Sequence, residues 1–154
     1  VLMAVLEYVR GGGTAVLCNN FPGAMSSEST QNFFASAGLP WELGAYHRTT
    51  FHLNPDADLV ADSALLLSTL PWACNMNAVQ LSNVADGDAW FRPNATSKIN
   101  TLASRFGGIA AEPVTDLKNT GAACAKVGLG KLGYVGDVNS EEDSVRIMLA
   151  MLGL

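Results

Sequence analysis

The chain has 154 residues, 49% of them hydrophobic, and nine Lys and Arg against fourteen Asp and Glu leave a net charge of −5. That length and apolar content suit one domain spanning residues 1–154, and the acidic balance without a basic stripe excludes a protein that tracks nucleic-acid phosphates. No apolar run reaches the roughly 20 residues of a membrane-crossing helix, because Arg10, Asp56, Asp62 and scattered glycines interrupt every stretch, so no membrane partner is expected.

Leu2, Leu6 and Val9, with Val5 beside them, follow the spacing of one helix face, and Gly11-Gly12-Gly13 supply residues that stop a helix. Val1 and Leu2 already lie inside this pattern, without an initiator Met or signal peptide, the start expected of a processed chain or a fragment. Thr14–Cys18 is an uninterrupted apolar run, as expected of a strand buried on both faces. Ser26 and Ser27 predict the cap of a helix running to Ala37, closed by Gly38 before Pro40. The β-rich string from Gly44 to Leu53 predicts a strand with one wet face.

Between Asn54 and Thr120 the pattern is mixed, with strand-like pieces at Ala78–Val84 and Ala89–Phe91 and a helix near Ser97–Phe106. Ala122–Val127 and Leu132–Val135 flank Gly128-Leu129-Gly130-Lys131 and read as a β-hairpin. The last helix opens with Ser140 as its cap and Glu141, Glu142 and Asp143 at the positive end of its dipole. Val145, Ile147, Met148, Met151 and Leu152 form its apolar side, and Gly153 ends it.

Cys18, Cys74 and Cys124 are an odd set at wide spacing, neither a disulfide framework nor a zinc pattern, which favours a reducing, cytoplasmic setting. Secretion stays open because Asn94-Ala95-Thr96 is a formal glycosylation acceptor. Gly128–Gly133 matches G-x-G-x-x-G, but a strand follows where a dinucleotide site needs a helix, so the glycines read as a turn and no cofactor is expected. Cys18 ends a predicted buried strand, where α/β hydrolases present a nucleophile; the competing reading is an inert core thiol. His47 and His52, five apart on one strand, point to opposite faces and cannot share a metal, although either is a possible base for Cys18. Asp137, Glu141, Glu142 and Asp143 suit a hard cation through oxygen ligands, yet helix capping explains them more simply, and no metal is expected.

Three segments together carry a family resemblance: LEYVRGGGTAVLCNNF, AGLPWELGAYHRTT and GKLGYVGDVNSEEDSVRIMLAMLGL. They resemble small fungal proteins related to the ThuA-like, class I glutamine amidotransferase-like superfamily. The resemblance implies an α/β fold, a flavodoxin-like three-layer sandwich with a mainly parallel sheet. It further implies that N-terminal strands are lacking here and belong to a segment before Val1 or to a partner chain. The family's nucleophilic Cys sits in a G-x-C-x-G elbow; Cys18 stands in its place, with Val16 and Asn20 where the glycines would be. The family's His near the last strand has no counterpart in Gly136-Asp137-Val138-Asn139, so an intact triad is not expected.

Three functions follow as expectations. The first is a domain that binds a small polar ligand of the sugar type at the strand C-terminal ends, near Cys18, Asn19, Asn20, Asp137 and Asn139. The second is a Cys-dependent hydrolase or amidotransferase using Cys18 with His47 or His52. The third is an interaction subunit or homo-oligomer anchored by aromatics among Trp41, Trp72 and Trp90.

Overall fold

The computed structural model describes residues 1–154. In chain order the elements are α1 (Leu2–Arg10), β1 (Thr14–Leu17), α2 (Phe21–Ala24), α3 (Ser27–Ser36), β2 (Glu42–Leu53), α4 (Asp58–Ala61), α5 (Ala64–Thr69) and β3 (Ala73–Ser82). They continue as β4 (Ala89–Arg92), β5 (Lys98–Ile99), α6 (Leu102–Arg105), β6 (Glu112–Pro113), β7 (Ala122–Val127), β8 (Gly130–Val135) and α7 (Glu142–Leu152). No helix is long and apolar enough to cross a membrane.

Six strands form one sheet in the order β1-β8-β7-β4-β2-β3, and β5 pairs with β6 in a separate ribbon. Only β1 and β8 are parallel; every other neighbouring pair is antiparallel. The sheet curls into a half-barrel, because β3 swings back toward the strand on the far side. Val79 N–H donates to Gly136 O at 3.0 Å, Val138 N–H donates to Asn77 O at 3.1 Å, and Leu81 and Thr120 exchange two bonds of 2.8 Å.

This corrects the flavodoxin-like, mainly parallel sandwich that the resemblance implies. A parallel neighbour needs a crossover of a dozen or so residues, whereas β7 turns into β8 through Gly128-Leu129 alone. The side chains of β2 and β3 also alternate between faces, with Arg48, Asn75 and Asn77 interleaved among Phe51, Cys74 and Met76. Strands covered on both faces by crossover helices read as continuous apolar runs instead. Here β4, β7 and β8 have that character, while β1, expected to be buried on both faces, is a half-buried edge strand.

The sheet is covered on both faces. On one, Leu6 and Val9 of α1 and Phe33 and Phe34 of α3 pack with Trp41, Leu132 and Tyr134. On the other, Ile147 and Met151 of α7 and Val60 of α4 pack with Phe51, Met76, Trp90 and Phe91. β7 shows how one strand serves both, since Ala123 and Ala125 enter the first core while Ala122 and Cys124 enter the second. Phe34 organises the first core, meeting Trp41 edge-on at 5.3 Å and Tyr134 edge-on at 6.3 Å, pairs that add to the burial itself.

Helix ends match their local chemistry. Ser26 accepts from Ser29 N–H at 3.1 Å at the start of α3, and Gly38 follows the helix at a φ of 79°. The helix expected near Ser97–Phe106 is instead the β5 strand followed by the single turn of α6, which Thr101 and Ser104 cap reciprocally. β3 starts at Ala73, five residues before the strand expected at Ala78, because its first half pairs with β2 through polar residues.

The closure of β3 on Gly136 depends on a missing side chain. A Cβ at Gly136 would lie 2.2 Å from Val79 O, an oxygen that also accepts from Tyr134 Oη at 2.7 Å. Gly136→Ala is expected to lower stability by more than about 2 kcal/mol in urea unfolding. Gly23→Ala, with nothing near its added carbon, is expected to leave the midpoint unchanged or slightly raised. Equal midpoints for the two variants would contradict the closure.

Candidate functional site

Because β1 and β8 are parallel neighbours, their C-terminal ends lie side by side, and the loops that follow them meet. Ser140 Oγ donates to Asn19 Oδ1 at 2.6 Å, joining the two loops directly. Both residues are left-handed, with φ of 56° for Asn19 and 53° for Ser140, a conformation Asn tolerates better than Ser. Beneath them Asp137 is 1% exposed. Its carboxylate accepts from Asn139 N–H at 3.1 Å, Glu141 N–H at 2.9 Å and Ser144 Oγ at 2.6 Å.

Asp137 therefore places negative charge at the positive end of α7. The expected Ser140 cap is corrected: the helix begins at Glu142, and the hydroxyl of Ser140 is turned to Asn19.

Above this scaffold the β2–β3 hairpin closes over the strand ends and leaves a cleft of two cavities that share Tyr46. One, about 410 Å³, is lined by Asn19, Asn20, Pro22, Ala24, Tyr46, Val79 and Val138. The other, about 400 Å³, is lined by Tyr46, His47, Arg48, Asn77, Asn100, Arg105 and Asn139 among others. Both volumes lie within the roughly 300–1,000 Å³ of small-molecule sites. Tyr46 is 58% exposed, and its hydroxyl accepts from Asn77 Nδ2 at 3.0 Å.

Two features set the cleft's walls. Arg48 donates to Asn75 Oδ1 at 2.8 Å and pairs with Glu141, which raises the guanidinium pKa and anchors β2 to the start of α7. Asn100 N–H donates to Arg48 O at 2.8 Å, so the excursion through β5, α6 and β6 is stitched to β2 and forms the outer wall.

Four residues expected to bind ligand are thus placed around one region. Asn19 and Asn20 line the first cavity and Asn139 the second. Asp137 lies below them, its oxygens engaged by the loop. The structure adds Tyr46, Arg48, Asn77, Asn100 and Arg105. The polar alternation of β2 and β3 was a signal for the first three, since a wet strand face within a core-forming hairpin needs a reason. Nothing local marked Asn100 or Arg105.

The residues expected to act as a nucleophile and base are not brought together. Cys18 lines a space of only about 10 Å³ with Asp137, Ser144 and Met148, and its Sγ is 3.4 Å from Met148 Sδ. Burial raises its thiol pKa. His47 lines the second cavity, its Nε2 lies 3.0 Å from Gln80 Nε2, and burial lowers its pKa and favours the neutral ring. His52, on the opposite face of β2, lines a third and larger cavity of about 640 Å³ with Asp56, Asp58, Asp86, Arg92 and Lys118. There Asp86 bridges Arg92 and Lys118, which hold its pKa down to about 2.

The remaining motifs resolve into structure. Gly128, at a φ of 61°, makes the β7–β8 turn. The acidic residues near Asp137 disperse, with Glu141 on Arg48 and Asp143 on Arg146 at 3.3 Å. Trp41 and Trp90 are 0% and 1% exposed, so only Trp72, at 67%, is open to a partner. Comparisons with protein-family models, curated proteins and solved structures give no match.

Two outcomes follow. With its thiol pKa raised by burial and its sulfur against Met148, Cys18 is expected to alkylate slowly with iodoacetamide near neutral pH and quickly only after denaturation. Rapid, selective labelling of the folded chain would restore it as a nucleophile. His47 has its folded pKa below the ordinary value of 6.5, so on acidification the unfolded chain takes up that proton first. Its contribution to stability is therefore complete above the ordinary value and falls as pH drops below it. The melting temperature should decline from about pH 7.5 to about pH 5.5, and His47→Asn should flatten that decline.

Proposed function

We propose that this chain is a binding domain for a small polar ligand of the sugar class, which it holds in the cleft around Tyr46 without a Cys–His catalytic pair. The observation that carries this reading is the convergence of five side-chain amides, Asn19, Asn20, Asn77, Asn100 and Asn139, on cavities that share one exposed tyrosine. An amide both donates and accepts, as a hydroxyl does, so a wall of amides matches a polyhydroxylated molecule without selecting a charge. The tyrosine ring supplies a flat apolar surface with a polar tip.

Position supports the same reading. β1 and β8, the one parallel pair of the sheet, end side by side and set the loop bearing Asn19 and Asn20 against the loop bearing Asn139. Cys18, half-buried against Met148 with neither histidine beside its cavity, favours binding over thiol chemistry.

The test is a titration by heteronuclear NMR with a panel of monosaccharides and their derivatives. Saturable shifts are expected at Asn19, Tyr46, Asn77 and Asn139. Tyr46→Ala is expected to weaken binding about tenfold, the scale of one lost aromatic or hydrogen-bonding contact. Shifts confined to the cavity around His52, or no saturable shift with any member, would sink the proposal.

A further inference from the structure

Resting on that reading and narrowing it, we infer that the ligand carries a carboxylate or phosphate group, received by Arg105 and Arg48, while its uncharged body crosses Tyr46 toward Val79 and Val138. The first observation is a matter of sorting. The chain has fourteen Asp and Glu and a net charge of −5, yet no acidic side chain lines either cavity of the cleft, and the second cavity holds two arginines and a histidine. The cavity around His52 is lined by three aspartates. An acidic protein that clears its carboxylates from one concave surface and leaves arginines there creates a local field opposite in sign to its own.

The second observation concerns what each arginine is free to do. Arg48 is held by Asn75 and Glu141, with its side chain 20% exposed, so its orientation is set and its charge is balanced. Arg105 makes no side-chain hydrogen bond and no ion pair, and it lines the same cavity. Arg105 is thus a cation without an ion-pair partner beside one positioned guanidinium, an arrangement open to an anionic group. A planar guanidinium fork matches the geometry of carboxylate and phosphate oxygens, and such charged hydrogen bonds are about twice as strong as neutral ones.

The third observation gives the ligand its direction. Beyond Tyr46 the first cavity loses its charges and is walled by Pro22, Ala24, Val79 and Val138 beside two amides. A molecule spanning both cavities has its anionic end toward α6 and its less polar end toward α2.

Calorimetric titration with glucose, glucose 6-phosphate, glucuronate and inorganic phosphate tests this. At low salt the sugar phosphate or the uronate is expected to bind about tenfold or more tightly than glucose, with the advantage shrinking as salt is added. Which of the two gains more identifies the anionic group. Arg105→Gln is expected to remove most of the advantage, Arg105→Lys to keep part of it, and Lys126→Gln, an exposed cation elsewhere, to keep all of it. Because Arg105 is exposed and unbonded, its substitution leaves the fold intact.

Equal affinities for glucose and both anions, or an advantage that survives Arg105→Gln, would overturn the inference while leaving sugar binding at Tyr46 standing. Inorganic phosphate binding as tightly as the sugar phosphate would overturn the two-ended arrangement. If no member of the set binds and Tyr46 is silent by NMR, the binding reading falls and this inference falls with it.

Discussion

The close approach of Val79 to Gly136 is the constraint on which the rest of the site depends. At this point β3 gives up an ordinary edge and rests its backbone on the strand end across the sheet, with Val79 N–H bonded to Gly136 O and Val79 O bonded to the hydroxyl of Tyr134. Only glycine leaves room there. The contact pulls the long β2–β3 hairpin over the ends of β1 and β8, which brings Tyr46 and Asn77 opposite Asn19 and Asn139. Without it the same residues would decorate an open sheet. Closure also protects an edge strand that would otherwise offer unpaired backbone groups.

A second layer of order lies under the cleft. Asp137, buried and engaged by three donors, fixes the loop that carries Asn139 and the first turn of α7. Ser140 and Asn19 accept left-handed backbone to meet each other, and backbone strain of this kind persists only where the surroundings hold it in place. Arg48 then ties the hairpin to Glu141. The two loops, the hairpin and the helix are one connected unit, so the cleft is preformed. Such preorganisation lowers the ordering cost of binding a small ligand.

The same packing sets the surroundings of the thiol. Cys18 follows directly on β1, but its sulfur is turned toward α7 and Met148, in a space too small for a substrate. Desolvation holds the proton on, and neither histidine lines that space. The position that made Cys18 conspicuous in the sequence is real; the environment that would activate it belongs to other elements.

Local chemistry was legible where short-range rules decide. The helix at Leu2–Arg10, the strand after it, the capped helix from Ser27, the β7–β8 hairpin and the C-terminal helix were all visible, because periodicity, caps and glycine turns act over a few residues. The region from Asn54 to Thr120 was legible only at Ala89–Phe91, which is β4, and at the second half of β3, since α4, α5 and α6 are single turns or little more, held by tertiary contacts rather than by propensity. The parallel sandwich implied by the resemblance failed for a related reason. Strand direction is set by how connections pack, and a pattern that marks a strand as buried does not say which neighbour it takes. The sequence by itself determined the elements with strong periodicity, the acidic charge, and the placing of Asn19 and Asn20 just after one strand and of Asp137 and Asn139 just after another. Tertiary structure alone decided that the sheet curls, that Cys18 is separated from both histidines, and that Tyr46, Arg48, Asn77 and Arg105 join those asparagines. These are contacts between residues tens of positions apart, governed by backbone closure at one glycine that no local pattern reveals.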